Sequence, residues 1–131
     1  MKTNLSKQRQ QFWRLWRQMG RVLRRLDATQ PMTPGSLYWM GRKCGKSNCG
    51  CARGQLHYTW VVTRSEEGRA RLYTVTSEQR QRVRQWTGAY RLYQRSRAQL
   101  VKLWGQLLGR VDGMAENRRV AWPEKEKRRR P

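Results

Sequence analysis

The sequence predicts an α+β fold: a small three-stranded antiparallel β-meander with a zinc-knuckle-like loop, flanked by two long amphipathic helices that pack as a helical hairpin or coiled coil. Three observations predict it. All three cysteines and the only histidine fall within one short stretch, Cys44-x4-Cys49-x-Cys51-x5-His57. Apolar residues recur at helical spacing before this stretch and at heptad spacing well after it. Between them, from Ser36 to Thr76, the composition turns β-branched and aromatic, broken by glycine.

The first element is a basic amphipathic helix within residues 1–28. From about Asn4 to Leu26, Phe12, Trp16, Met19, Leu23 and Leu26 share one face, with Leu15 and Val22 beside them. Pro31 and Pro34 mark residues 29–35 as a linker. Residues 36–76 form the zinc-loop β-meander, with strands expected at Leu37 to Arg42, His57 to Arg64 and Arg71 to Val75. Ser65-Glu66-Glu67-Gly68 joins the last two. On the second strand Tyr58, Trp60 and Val62 alternate with Thr59, Val61 and Thr63. One face of such a sheet packs on a helix, and the other is short, basic and partly aromatic.

Thr76 and Gln79 have the spacing of a capping box, and a heptad-patterned helix follows over residues 77–112. Val83, Trp86, Tyr90, Tyr93, Leu100, Trp104, Leu107 and Val111 keep its seam, broken at Arg97. A hairpin with the first helix and a coiled-coil homodimer both satisfy this seam. Residues 113–131 read as a basic tail, ending in Glu124-Lys125-Glu126-Lys127-Arg128-Arg129-Arg130-Pro131.

Three thiolates and one imidazole are a complete ligand set for a structural zinc ion, which wants four tetrahedral N or S donors and no open position. Cys44, Cys49, Cys51 and His57 are therefore the expected ligands, with an iron–sulfur cluster on the same residues, or three free thiols beside a surface histidine, as the alternatives. Gly45 and Gly50 follow two of the cysteines directly, where backbone N–H groups can turn back toward sulfur. A disulfide framework fits poorly, because three cysteines leave one over and Cys49 and Cys51 are too close for an unstrained bridge. A reducing, cytoplasmic location follows, and no stretch approaches the roughly 18 apolar residues of a membrane span.

Charge points to the partner. The 131 residues carry 30 Lys plus Arg against 8 Asp plus Glu, a formal +22, which calls for a polyanion. Arginine outnumbers lysine heavily, and its planar fork suits phosphate oxygens and base edges. DNA is the expected partner, with a nucleoid-associated protein as the result. The residues expected to touch it are Arg80, Arg84, Arg91 and Arg95 on the long helix, Arg42, Lys43, Lys46 and Arg53 around the cysteine loop, and Arg64 and Arg71 on the strands. RNA is the alternative, with Tyr38, Trp39, Tyr58 and Trp60 stacking on unpaired bases. Alternating strand positions read those aromatics as core instead.

The residues Gly35-Ser36-Leu37, Cys44-Gly45-Lys46, Cys49-x-Cys51 and His57-Tyr58 before a strand resemble an uncharacterised family of small basic Cys/His-motif proteins often encoded beside transposases. The resemblance runs from about Pro34 into the helix beginning at Ser77. It implies a mobile-element accessory protein with a zinc site at Cys44, Cys49, Cys51 and His57, and a transposase or recombinase as partner. A helical adaptor that binds the transposase through its seam is a further reading.

Catalysis is not expected. The metal claims the one histidine, which leaves no Ser-His-Asp or Cys-His arrangement. Asp27, Glu66, Glu67, Glu78, Asp112, Glu116, Glu124 and Glu126 fall at element ends, turns and the tail rather than converging as a two-metal site requires. A zinc deaminase needs a glutamate beside its ligands, and the cysteine loop has no acid.

Overall fold

The computed structural model describes residues 4–43, 54 and 56–123. Element order is α1 (Leu5–Leu26), β1 (Ser36–Arg42), β2 (His57–Glu66), β3 (Arg69–Val75) and α2 (Arg80–Arg118). The chain divides into two compact units: residues 1–26 with 97–131, and residues 27–96. The α+β class and the three-stranded antiparallel sheet match the sequence reading.

In the helical unit, Asn4 caps α1. Its Oδ1 accepts the Ser6 N–H at 2.8 Å and its carbonyl accepts that of Gln8 at 3.1 Å, which satisfies donors that a helix start leaves open. Arg24 and Arg25 lie in the last turn, where the helix dipole favours cations. Met19 and Val22 of α1 are buried against Leu103 and Leu107 of α2, with Phe12, Leu15, Leu26 and Leu100 packed around them. The two segments run antiparallel. Asn117 Nδ2 donates to Gln8 Oε1 at 2.7 Å at one end, and Arg25 Nη1 donates to Gln99 Oε1 at 3.4 Å at the other.

Phe12, Met19 and Leu26 of α1 and Leu100 and Leu107 of α2 pack as the seam placed them, and the remaining packed positions lie one residue away from it. Trp16 and Leu23 of α1 and Trp104 and Val111 of α2 are exposed, and Leu15, Val22 and Leu103 turn inward in their place. The second helix also continues past Val111 to Arg118. Met114, Ala115 and Glu116 form helix readily, and the bond from Asn117 to Gln8 ties down its last turn.

In the other unit the sheet order is β1-β2-β3. Ser36 pairs with Thr63 and Arg42 with His57 across β1 and β2, and Trp60 pairs with Val75 and Glu66 with Arg69 across β2 and β3. Glu67 and Gly68 both take positive φ, 51° and 77°, as a two-residue type I′ hairpin requires. Because Glu67 accepts this conformation, the turn is shorter than composition suggested, and β2 and β3 extend to Glu66 and from Arg69. Val61 and Val62 point to opposite faces of β2, yet both are buried. Both faces of the sheet are therefore covered at its centre, where one had been expected to stay open.

The capping box before α2 is reciprocal. The Gln79 N–H donates to Thr76 Oγ1 and the Thr76 N–H to Gln79 Oε1, each at 3.2 Å. Thr76→Ala is expected to lower stability by about 1 kcal/mol, read as a fall in the urea midpoint at unchanged slope. In the first part of α2, Thr87 is fully buried and its hydroxyl donates to the Val83 carbonyl at 2.9 Å, so no polar atom is stranded. The linker docks on this helix through the Thr33 N–H, which donates to the Trp86 carbonyl at 3.2 Å.

Candidate nucleic-acid interface

Four of the predicted arginines share one face of α2. Arg80, Arg84, Arg91 and Arg95 follow one another at intervals of four, seven and four residues, which keeps them within a narrow arc of a 3.6-residue helix and spreads them over about 22 Å of its length. All four are exposed, and no acid occurs from Gln79 to Val111. The guanidinium groups of Arg80 and Arg84 lie over the Trp60 ring, 5.2 and 5.8 Å from its centroid. Such contacts hold long side chains in place while leaving their N–H groups directed outward.

Trp60 continues into an aromatic row on the same sheet face. Trp39 lies beside it at 5.4 Å between centroids, and Tyr58 stacks on Trp39 at 5.9 Å with an interplanar angle of 15°. The register explains the row, because Trp39 faces Trp60 and Gly41 faces Tyr58 across the two strands. A Cβ at Gly41 would stand 2.8 Å from the Tyr58 ring, so glycine lets that ring lie flat across β1. Trp39 and Tyr58 remain 54% and 56% exposed. They are surface groups, not the core that strand alternation suggested. The sequence holds both members of that pair, Gly41 and Tyr58, but only the strand register sets one against the other.

The remaining predicted contacts divide. Arg42 and Lys43 are exposed at the end of β1. Arg64 and Arg71 are engaged by Glu66. Arg64 Nε sits 3.0 Å from Glu66 Oε1 as an ion pair without the alignment of a hydrogen bond, and its Nη1 donates to Thr33 Oγ1 at 3.0 Å. Arg71 Nε lies 3.7 Å from Glu66 Oε2. These two arginines brace the β2–β3 hairpin and the linker, which leaves them less available to phosphate than those of α2. Lys46 and Arg53, and the predicted metal ligands Cys44, Cys49 and Cys51, lie outside the described residues. His57, the fourth predicted ligand, opens β2 opposite Arg42, at the base of the connection that carries all three cysteines.

Glu66 also accepts the Tyr73 hydroxyl at 2.9 and 2.8 Å. That hydrogen bond, with desolvation and the carboxylate charge adding to it, raises the phenol above its ordinary 10.0, while Arg71 and Arg64 pull it down. A group whose folded pKa is raised contributes stability in full below its unfolded value and loses it as pH climbs through the folded one. The Tyr73 phenol, isolated as the ultraviolet difference between wild type and Tyr73→Phe, should titrate above pH 10, and Glu66→Gln should bring it back down. An unchanged midpoint in Glu66→Gln would remove Glu66 as the cause.

The helical unit holds a second basic surface that sequence reasoning did not single out. Clefts along one side of the α1 and α2 pair are lined by Arg14 and Arg110, and by Arg21, Arg25 and Lys102. The pairing of the two helices creates this surface, since neither helix alone brings the five cations together.

No helix among the described residues is long and apolar enough to cross a membrane. No curated protein and no solved structure gives a significant match. The family described as a domain of unknown function, DUF6788, matches residues 7–85, from the first turn of α1 through the sheet into the start of α2. As that match spans more than half of the sequence and takes in α1 along with the sheet, the chain belongs to the DUF6788 family.

Proposed function

We propose that the chain is a non-catalytic nucleic-acid-binding protein that takes duplex DNA along the arginine face of α2, as an accessory to the transposase or recombinase of a mobile element. The observation that carries the binding is the face formed by Arg80, Arg84, Arg91 and Arg95, exposed and free of acids over its whole length. Its mechanism is phosphate neutralisation with release of counterions. The accessory role rests on the family resemblance in the cysteine and histidine motif.

A structural zinc ion held by Cys44, Cys49, Cys51 and His57 belongs to the same reading. Its support is the donor set together with the position of His57 at the base of the cysteine-bearing connection. The metal would order the connection whose sequence carries Lys46 and Arg53.

One observation favours a second reading, single-stranded RNA or DNA. Exposed, mutually stacked Trp39 and Tyr58 offer a platform on which unpaired bases stack. The test is a titration against matched duplex DNA, single-stranded DNA and RNA across a salt series, with metal analysis of wild type and Cys49→Ser. For duplex DNA, about six to eight phosphate contacts give a slope of log K on log salt of about −5 to −7. Duplex preference with one bound zinc supports the first reading, and single-strand preference lost in Trp39→Ala supports the second. A slope near zero would refute both.

A further inference from the structure

The helical unit leaves one side unfilled. On α2, Val101, Trp104, Leu108 and Val111 are exposed, and on α1 so are Leu5, Trp16 and Leu23. In both helices the exposed stripe lies one residue after the packed one: Val101 follows Leu100, Trp104 follows Leu103, Leu108 follows Leu107, Trp16 follows Leu15 and Leu23 follows Val22. One residue is a rotation of about 100° in the same sense about each helix axis. Since the two axes are antiparallel, equal rotations carry both stripes to the same side of the pair. That side is opposite the clefts lined by Arg14, Arg21, Arg25, Lys102 and Arg110.

We propose that this apolar side is the dimer interface, and that two copies of the chain close through it as a four-helix bundle. Helices with two adjacent heptad stripes fill one by pairing within the chain and the other by pairing between chains. Charge selects the occupant. Between Arg97 and Arg118 the α2 stripe has no charge, in a chain of formal +22, and on the α1 stripe Arg9, exposed between Leu5 and Trp16, is the one cation, so an acidic partner finds little to complement there. A second copy buries this side and leaves both basic sides facing outward. The chain's own end is unsuited to the position, because residues 124–130 are all charged.

Area agrees with this occupant. Trp16 and Trp104 are 50% and 52% exposed, and a bare aromatic side chain presents roughly 150–250 Å². With the aliphatic residues beside them, the face amounts to on the order of 600 Å² per chain, near the roughly 800 Å² per partner of a standard interface. It is at the upper end of what a monomer leaves bare.

The test is the mass of the nuclease-treated full chain by sedimentation equilibrium over a range of concentration and salt. A dimer is twice 15.8 kDa. It should tighten as salt rises, because salt screens repulsion between the two basic copies, whereas nucleic-acid bridging would weaken. Trp104→Glu and Trp16→Glu, on separate helices, should each yield a monomer that keeps the helical circular dichroism of the wild type. A monomeric wild type at every concentration overturns the proposal whatever the variants do. So does a dimer that salt dissociates, or one indifferent to both substitutions.

Discussion

Replacing Arg80, Arg84, Arg91 and Arg95 together by glutamine is expected to weaken duplex binding about a thousandfold at low salt, and to flatten the slope of log K on log salt by about 3 to 4. Each phosphate contact contributes about 0.9 to that slope. A charge pair at about 4 Å in a water-like medium is worth about 1 kcal/mol, and 1.4 kcal/mol is tenfold in affinity. Glutamine preserves helix propensity, so α2 should persist. Two of the four residues also contact Trp60, each at a cost of about 0.5–1 kcal/mol when removed. The pair Arg91→Gln and Arg95→Gln separates the effects: affinity and slope should fall about half as far with stability unchanged. A slope equal to that of the wild type in the fourfold variant would move the binding surface elsewhere, first to the clefts of the helical unit.

Leu103→Ala should destabilise the helical unit by about 3 kcal/mol. Leu103 is 6% exposed, in contact with the cluster of Met19, Val22 and Leu107, and truncation of a buried leucine loses both transfer energy and packing around the void. Few large apolar side chains are fully buried among the described residues, so little remains to compensate. Leu108→Ala, five residues on and 45% exposed, is the control, with an effect on the monomer within about 0.5 kcal/mol. Hydrogen exchange localises the damage: amides of α1 and of α2 beyond Arg97 should lose protection, while β2 retains its own. Equal losses from Leu103→Ala and Leu108→Ala would mean that the packed stripe is not the one described.

The same pair of residues shows what the sequence could and could not convey. Helix starts were legible because their chemistry is local: Asn4 and the Thr76–Gln79 pair cap the helices they precede. The inward stripe was legible only in part: Leu100 and Leu107 were read into it, but Trp104 was read in place of Leu103, because Leu100-Val101, Leu103-Trp104 and Leu107-Leu108 are adjacent apolar pairs. Two heptad patterns run one residue apart, and only the partner helix decides between them. The face of Arg80, Arg84, Arg91 and Arg95 followed from periodicity alone. The engagement of Arg64 and Arg71 did not, since it depends on a hairpin tight enough to bring Glu66 between them. The outward position of Trp39 and Tyr58 required the strand register, which sets Tyr58 over Gly41.

The division of the chain also sets an order of assembly during synthesis. Residues 27–96 are one contiguous stretch, complete as soon as they have been made, whereas α1 belongs to a unit finished only by residues 97–131. At about 5–20 residues per second, the nascent chain carries α1 for several seconds before Leu100, Leu103 and Leu107 are available to it. During that wait Phe12, Leu15, Met19 and Val22 have no native partner, and a lone helix of 22 residues is marginal in water. Although α1 is made before the sheet, it acquires its native packing after it.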